Sequence, residues 1–476
     1  MRGPTPVSVP AASTGQRLRN TLPVLCGLAS VSSAALYETV IETKYGSVQC
    51  YPAFNSSHTG NLTHWKDITV WKGIPFAATT RGANRPWNQT LDARNWGPVC
   101  PSATIKDNAY TINEDSNSTD AKLPVIMWSY PTKSTTADPP FDSGDITNKK
   151  IVFINYNYRT GPFGWLAHSE LSEKFENIHA NIETFGDDPN QITVQGQSAG
   201  SAATQHILYS NLTQGLIVGA IIKCSVRDPH DPLCTSLTEA YTPLEDALTD
   251  GNTYLSNLEM SSIAEARNLN IEALISSATS ITRENTIMFK AVLDYYAMPD
   301  TYLNILMKGL AHDVPVITGN NKDENGATYG LDISLAEYLQ DLNETYSGGW
   351  IDRSLALYPA NDSTTASGAY NSMFTDRSKL GTWLWTQMWY TAKISPATVK
   401  PWTAEDYAIA KNMNDYWASF INTRNPNTQA EGAVHWPAVN TSKLVQHVGD
   451  GWGQIPIAWS EKVELFEDWF ATLVAY

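Results

Sequence analysis

Residues 185–208 read FGDDPNQITVQGQSAGSAATQHIL. Within this stretch Ile192-Thr193-Val194-Gln195 is a short apolar run of the kind that forms a strand buried on both faces. It leads into Gly196-Gln197-Ser198-Ala199-Gly200, a G-x-S-x-G sequence, and a helical pattern follows through Ala202, Ala203, His206, Ile207 and Leu208. Strand, G-x-S-x-G and helix in that order predict a sharp turn that presents the Ser198 hydroxyl at the edge of a sheet. The two glycines are expected where a side chain would collide with neighbouring backbone. The helix that opens after Ser198 directs its N-terminal dipole, and the Ala199 N–H, at an oxyanion formed during acyl transfer.

Working outward, three more apolar runs read as strands: Leu123 to Tyr130, Ile151 to Tyr156 and Val314 to Thr318. Pro124 and Pro315 must then sit near strand starts, because proline cannot donate to a ladder. Helical patterns cover about Leu237 to Leu248, Leu303 to Leu310 and Ala404 to Phe420. Strands alternating with helices predict an α/β fold, with a central, mostly parallel twisted sheet and helices on both faces.

The net charge of -16, with no Lys/Arg run, argues against a nucleic-acid partner. Arg2, Arg17 and Arg19 precede a short apolar stretch, Thr21 to Ala29, and then small residues to Ala35, which is the order of a secretory signal over residues 1–35. That stretch is too short to span a bilayer, and no later one is long and apolar enough. Eight Asn-x-Ser/Thr sequons, at Asn55, Asn61, Asn88, Asn117, Asn211, Asn343, Asn361 and Asn440, fit a secreted glycoprotein. Cys224 and Cys234 could close a short loop, although pairing cannot be read from sequence. No Cys or His cluster has metal-ligand spacing, and no cofactor is implied.

Several stretches resemble the type-B carboxylesterase and lipase family, which includes cholinesterases and fungal secreted esterases. Phe185 to Leu208 resembles the signature around its nucleophile. Val152 to Ala167 (VFINYNYRTGPFGWLA), Trp71 to Ala77 (WKGIPFA), Thr318 to Gly330 (TGNNKDENGATYG) and Asp415 to Asn427 (DYWASFINTRNPN) resemble further family motifs in the same order. The resemblance implies an α/β-hydrolase fold in one domain over residues 36–476. It implies hydrolysis of small ester or lipid-like substrates by a Ser, Glu, His triad, with Ser198 as nucleophile and Glu324 as the acid that orients the histidine.

The chain departs from the family in four places. The glycine-rich oxyanion loop is replaced by Ser129-Tyr130-Pro131-Thr132-Lys133-Ser134, in which Pro131 has no N–H to donate. Ser116 stands where a cysteine that pairs with the one resembling Cys100 is expected, and the strand that follows it in the family is missing. Only Glu173 to Asn177 remains of a longer segment between Ser172 and Ile178. Lys393 to Pro401, where the family's histidine lies, contains none; His435 and His447 are the late histidines, and neither matches the family motif. His206 is expected on the packing side of its helix. The general base is therefore unassigned, and a catalytically impaired binding glycoprotein is the alternative function. A gene reading that lost coding segments and a degenerate copy both fit these block-like departures.

Overall fold

The computed structural model of the chain describes residues 36–43, 46–54, 67–74, 89–94, 111–115, 122–131, 134–136, 144–170, 187–224, 226–235, 240–279, 287, 289–321, 332–389, 404–428, 433–449 and 451–476. Eight strands form the principal sheet: β1 (Tyr51–Pro52), β2 (Ile68–Lys72), β3 (Thr111–Asp115), β4 (Leu123–Ser129), β5 (Val152–Asn155), β6 (Asp187–Gln197), β7 (Gly219–Lys223) and β8 (Val316–Gly319). Their order across the sheet is β8-β7-β6-β4-β5-β3-β2-β1. The five strands from β8 to β5 are parallel, while β3 is antiparallel to both β5 and β2, and β1 is antiparallel to β2. This is the mostly parallel sheet expected from sequence.

Alternation along each strand sends side chains to opposite faces. Val125, Val152, Ile154, Ile192, Val194, Ala220, Ile222 and Val316 enter one buried cluster, together with Leu208 and Tyr209 of α1 (Ala199–Tyr209) and Trp385. Ile126, Phe153, Ile221 and Ile317 enter the other, against Met413, Tyr416, Phe420 and Ile421 of a late helix, Ala404–Thr423. Helices therefore cover both faces, and each large aliphatic side chain they bury contributes roughly 1.5–3 kcal/mol.

The prolines sit where the ladder tolerates them. Pro124 is the second residue of β4, at a register shift between Leu123 and Val125, and Pro315 precedes β8, where its carbonyl accepts from Ala220 N–H at 3.0 Å. Two expectations change. The helix expected over Leu237 to Leu248 runs instead as α2, Leu244–Asn257, because Pro243 sits at its N-cap in an extended conformation and disfavours helix in the residue before it. The strand expected to be missing after Asp115 leaves no gap in the sheet, because Thr111–Asp115 itself pairs between β2 and β5. Beyond α2, the chain contains a 27-residue helix, α3 (Ser363–Trp389), and then the late helix Ala404–Thr423, now α4. Among the described residues no helix is long and apolar enough to cross a membrane.

Candidate active site

β6 ends at Gln197 and α1 begins at Ala199, so the whole change of direction falls on Ser198. Its backbone has φ 55° and ψ -124°, a conformation that costs an L-residue about 1–3 kcal/mol and persists only where the surroundings fix it. Here they do. Ser198 N–H donates to Lys223 O at 2.9 Å, and Ser198 O accepts from Ser201 N–H at 2.8 Å. The Ser201 hydroxyl donates to Gly196 O at 3.0 Å and also to Lys223 O. The Thr204 hydroxyl donates to Gly200 O at 2.9 Å.

The glycines meet the requirement anticipated for them. A Cβ on Gly196 would lie 2.0 Å from Gly200 O and 2.5 Å from the Thr204 hydroxyl oxygen. A Cβ on Gly200 would lie 2.0 Å from Ser129 O and 2.6 Å from Tyr130 O. The bend is thus wedged under the carboxyl end of β4. The Ser198 side chain makes no capping bond to the helix. Ala199 is the first residue of α1, and its N–H has no acceptor within the helix. A hydroxyl and a backbone donor are thereby offered at the sheet's carboxyl edge, the arrangement that attack on a carbonyl and stabilisation of its oxyanion require.

Glu324 lies outside the described residues, as do Cys100, the shortened segment at 173–177 and the stretch at 393–401. The chain leading toward Glu324 is anchored at the same edge of the sheet. Gly319 O accepts from Cys224 N–H at 2.9 Å, and Asn320 Oδ1 accepts from the Thr382 hydroxyl of α3 at 2.9 Å.

The histidines divide by setting. His206 is buried between Trp165 and Tyr241, with ring centroids at 5.9 and 5.6 Å, on the packing side of α1. His435 is exposed and His447 ends the first strand of a two-stranded hairpin. His312 is buried, and burial lowers its pKa against the opposing pull of its bond to Ser210 O, 3.0 Å from Nε2. His230, past β7, is another that sequence reasoning passed over: its Nδ1 lies 2.8 Å from Asp228 Oδ1, which also accepts the His230 backbone N–H. Cys50, Cys224 and Cys234 are thiols, and Cys234 Sγ donates to Asp228 O, so the short loop closure between Cys224 and Cys234 is not formed.

A second residue that the sequence did not flag lies beside the bend. Lys223 pairs across the sheet with Gln197 and is almost fully buried. Its ammonium lies 4.7 Å from the Trp128 ring and 4.4 Å from that of Trp417 on α4. Burial lowers its pKa to about 8, against a smaller opposing effect from Cys224. Among the described residues no group of His, Cys, Asp and Glu side chains is placed to hold a metal ion.

The model of the carboxylesterase family matches residues 38–388. The chain is similar to a fumonisin B1 esterase of Sphingopyxis macrogoltabida, 27% identical over 65% of this chain and 63% of that protein. It is also similar to a para-nitrobenzyl esterase of Bacillus subtilis, 23% identical over 84% of this chain and 92% of that protein. A solved PNB esterase shares the fold with a TM-score of 0.68 at 20% identity, covering 90% of this chain and 99% of that one. With the serine bend, the sheet order and the family match in agreement, the chain belongs to the carboxylesterase family.

Proposed function

We propose that this chain hydrolyses carboxylic esters through an acyl-enzyme on Ser198. The observation that carries the reading is the Ser198 turn, held in a strained conformation at the carboxyl edge of the sheet by Gly196, Gly200 and the Lys223 carbonyl. The Ser198 oxygen attacks the ester carbonyl carbon while its proton passes to a base. The Ala199 N–H stabilises the oxyanion, and the alcohol leaves with a proton. Water then attacks the acyl-enzyme and releases the acid, restoring the Ser198 hydroxyl. Glu324 orients the base. The substrate is a small or lipid-like ester.

The same reading places the protein outside the cell. Residues 1–35 act as a secretory signal, and 36–476 fold as one domain. Four of the eight sequon asparagines, Asn211, Asn343, Asn361 and Asn440, are exposed, as glycan acceptors must be.

The absence of histidine from Lys393 to Pro401 favours a second reading, a family member that keeps the fold for binding and has lost turnover. Removing the base from such a triad costs about 10⁴–10⁶ in kcat. A fluorophosphonate probe followed by peptide mass spectrometry separates the two. The hydrolase reading expects an adduct on Ser198. Folded protein that takes up no probe there sinks that reading and leaves the binding one.

A further inference from the structure

Four consecutive side chains after the apolar run of β5 all reach one segment, residues 129–136. The Asn155 side-chain amide donates to Thr136 O at 3.0 Å. The Tyr156 hydroxyl lies 2.7 Å from the Ser129 hydroxyl. Asn157 Oδ1 accepts from Thr136 N–H at 3.3 Å. The Tyr158 hydroxyl donates to Tyr130 O at 2.6 Å, and the two tyrosine rings stack with centroids 4.4 Å apart and planes 16° from parallel.

The Ser129–Tyr130 end of this segment forms the wall against which the serine bend rests. The carbonyls of Ser129 and Tyr130 are the atoms that a Cβ on Gly200 would meet. Tyr130 follows the last residue of β4, and the bond from Tyr158 holds its carbonyl where the strand ends. Burial pushes the Tyr158 phenol well above its ordinary pKa, with Tyr130 and Tyr156 adding to the effect, so it remains a donor across the whole neutral range.

We propose that Tyr158 is a positioning residue for Ser198: its hydroxyl fixes the Tyr130 carbonyl, and through it the wall that sets the height of the α1 N-terminus beneath an incoming ester. The catalytic half of this inference rests on the proposed hydrolase activity, whereas the clamp itself does not.

The test uses the full chain and the substitution Tyr158→Phe, which keeps the stacked ring and removes only the hydroxyl. Hydrogen exchange over residues 129–136 is expected to quicken about tenfold, the scale of one lost hydrogen bond. Fluorophosphonate labelling of Ser198 is expected to slow about tenfold, with kcat for a short p-nitrophenyl ester falling while KM holds. Exchange unchanged from wild type overturns the proposal. So does faster exchange with labelling at the wild-type rate, because the clamp would then be structural only. If the wild-type chain takes up no probe, the hydrolase reading fails. Exchange alone then decides the clamp, faster supporting it and unchanged overturning it.

Discussion

Gly200 has no room for a methyl group: a Cβ there would sit 2.0 Å from the Ser129 carbonyl oxygen, on the neighbouring strand β4. The obstacle is backbone on both sides, which cannot turn away as a side chain would. Gly200→Ala must therefore push α1 off β4 or tilt the end of the strand. We expect a loss of about 3 kcal/mol in urea-unfolding stability, the upper range for overpacking, together with loss of probe labelling at Ser198. An alanine variant as stable as wild type would show that the close approach does not exist.

The strain at Ser198 yields a second expectation. At φ 55° a glycine is unstrained, whereas alanine keeps the Cβ that makes the conformation costly. Ser198→Gly and Ser198→Ala both remove the proposed nucleophile, so neither is expected to take up probe. The glycine variant should exceed the alanine variant in unfolding free energy by roughly 1–2 kcal/mol. Equal stabilities in paired urea titrations would mean that the bend is relaxed rather than held under strain.

Lys223 makes stability depend on pH in an unusual direction. Its folded pKa lies near 8, below the 10.5 of an ordinary lysine, because burial penalises the ammonium. Below pH 8 both states carry the proton, and the folded state bears the penalty, at most about 3 kcal/mol. Between pH 8 and 10.5 the unfolded chain still binds the proton while the folded chain has released it, so stability rises with pH across that window. The Trp128 and Trp417 rings offset part of the penalty. Lys223→Met fills the same slot without charge, and is expected to gain about 1–2 kcal/mol at pH 7 and to lose the rise above pH 8. Urea midpoints of both proteins at pH 7 and pH 9.5 provide the check. A wild-type midpoint that falls over this interval faster than the variant's would refute the assignment.

Much of the site was legible because its requirements are local. A strand, two glycines four positions apart around a serine and a following helix define one turn, and the close approaches that demand those glycines involve the turn and its immediate supports. The long helix α3 was not legible, because its buried face mixes polar with apolar residues. Thr375, Arg377, Ser378, Thr382 and Thr386 are buried there beside Met373, Leu380, Trp383 and Trp385, so the apolar period that marks a packed helix is interrupted. Two of them have partners remote in sequence: Arg377 bonds to Asp231 at 2.6 Å, and the Thr382 hydroxyl bonds to Val226 O at 2.9 Å. β7 was overlooked for a related reason, since GAIIK begins with a strand-weakening glycine and ends in a charge that the indoles of two other elements accommodate.

By itself, then, the sequence determined the alternating α/β pattern, the serine turn proposed to carry the nucleophile and the identity of the residues that flank it, because dihedral limits and apolar periodicity act over a few residues. Tertiary structure decided what faces that serine. β4 and β5 lie side by side in parallel only through the order of strands in the sheet, and that order alone brings the Asn155 to Tyr158 side chains onto residues 129–136. Hydrogen bonds across neighbouring strands join residues about twenty to thirty positions apart, and no pattern along the chain encodes which strand a given residue will find beside it.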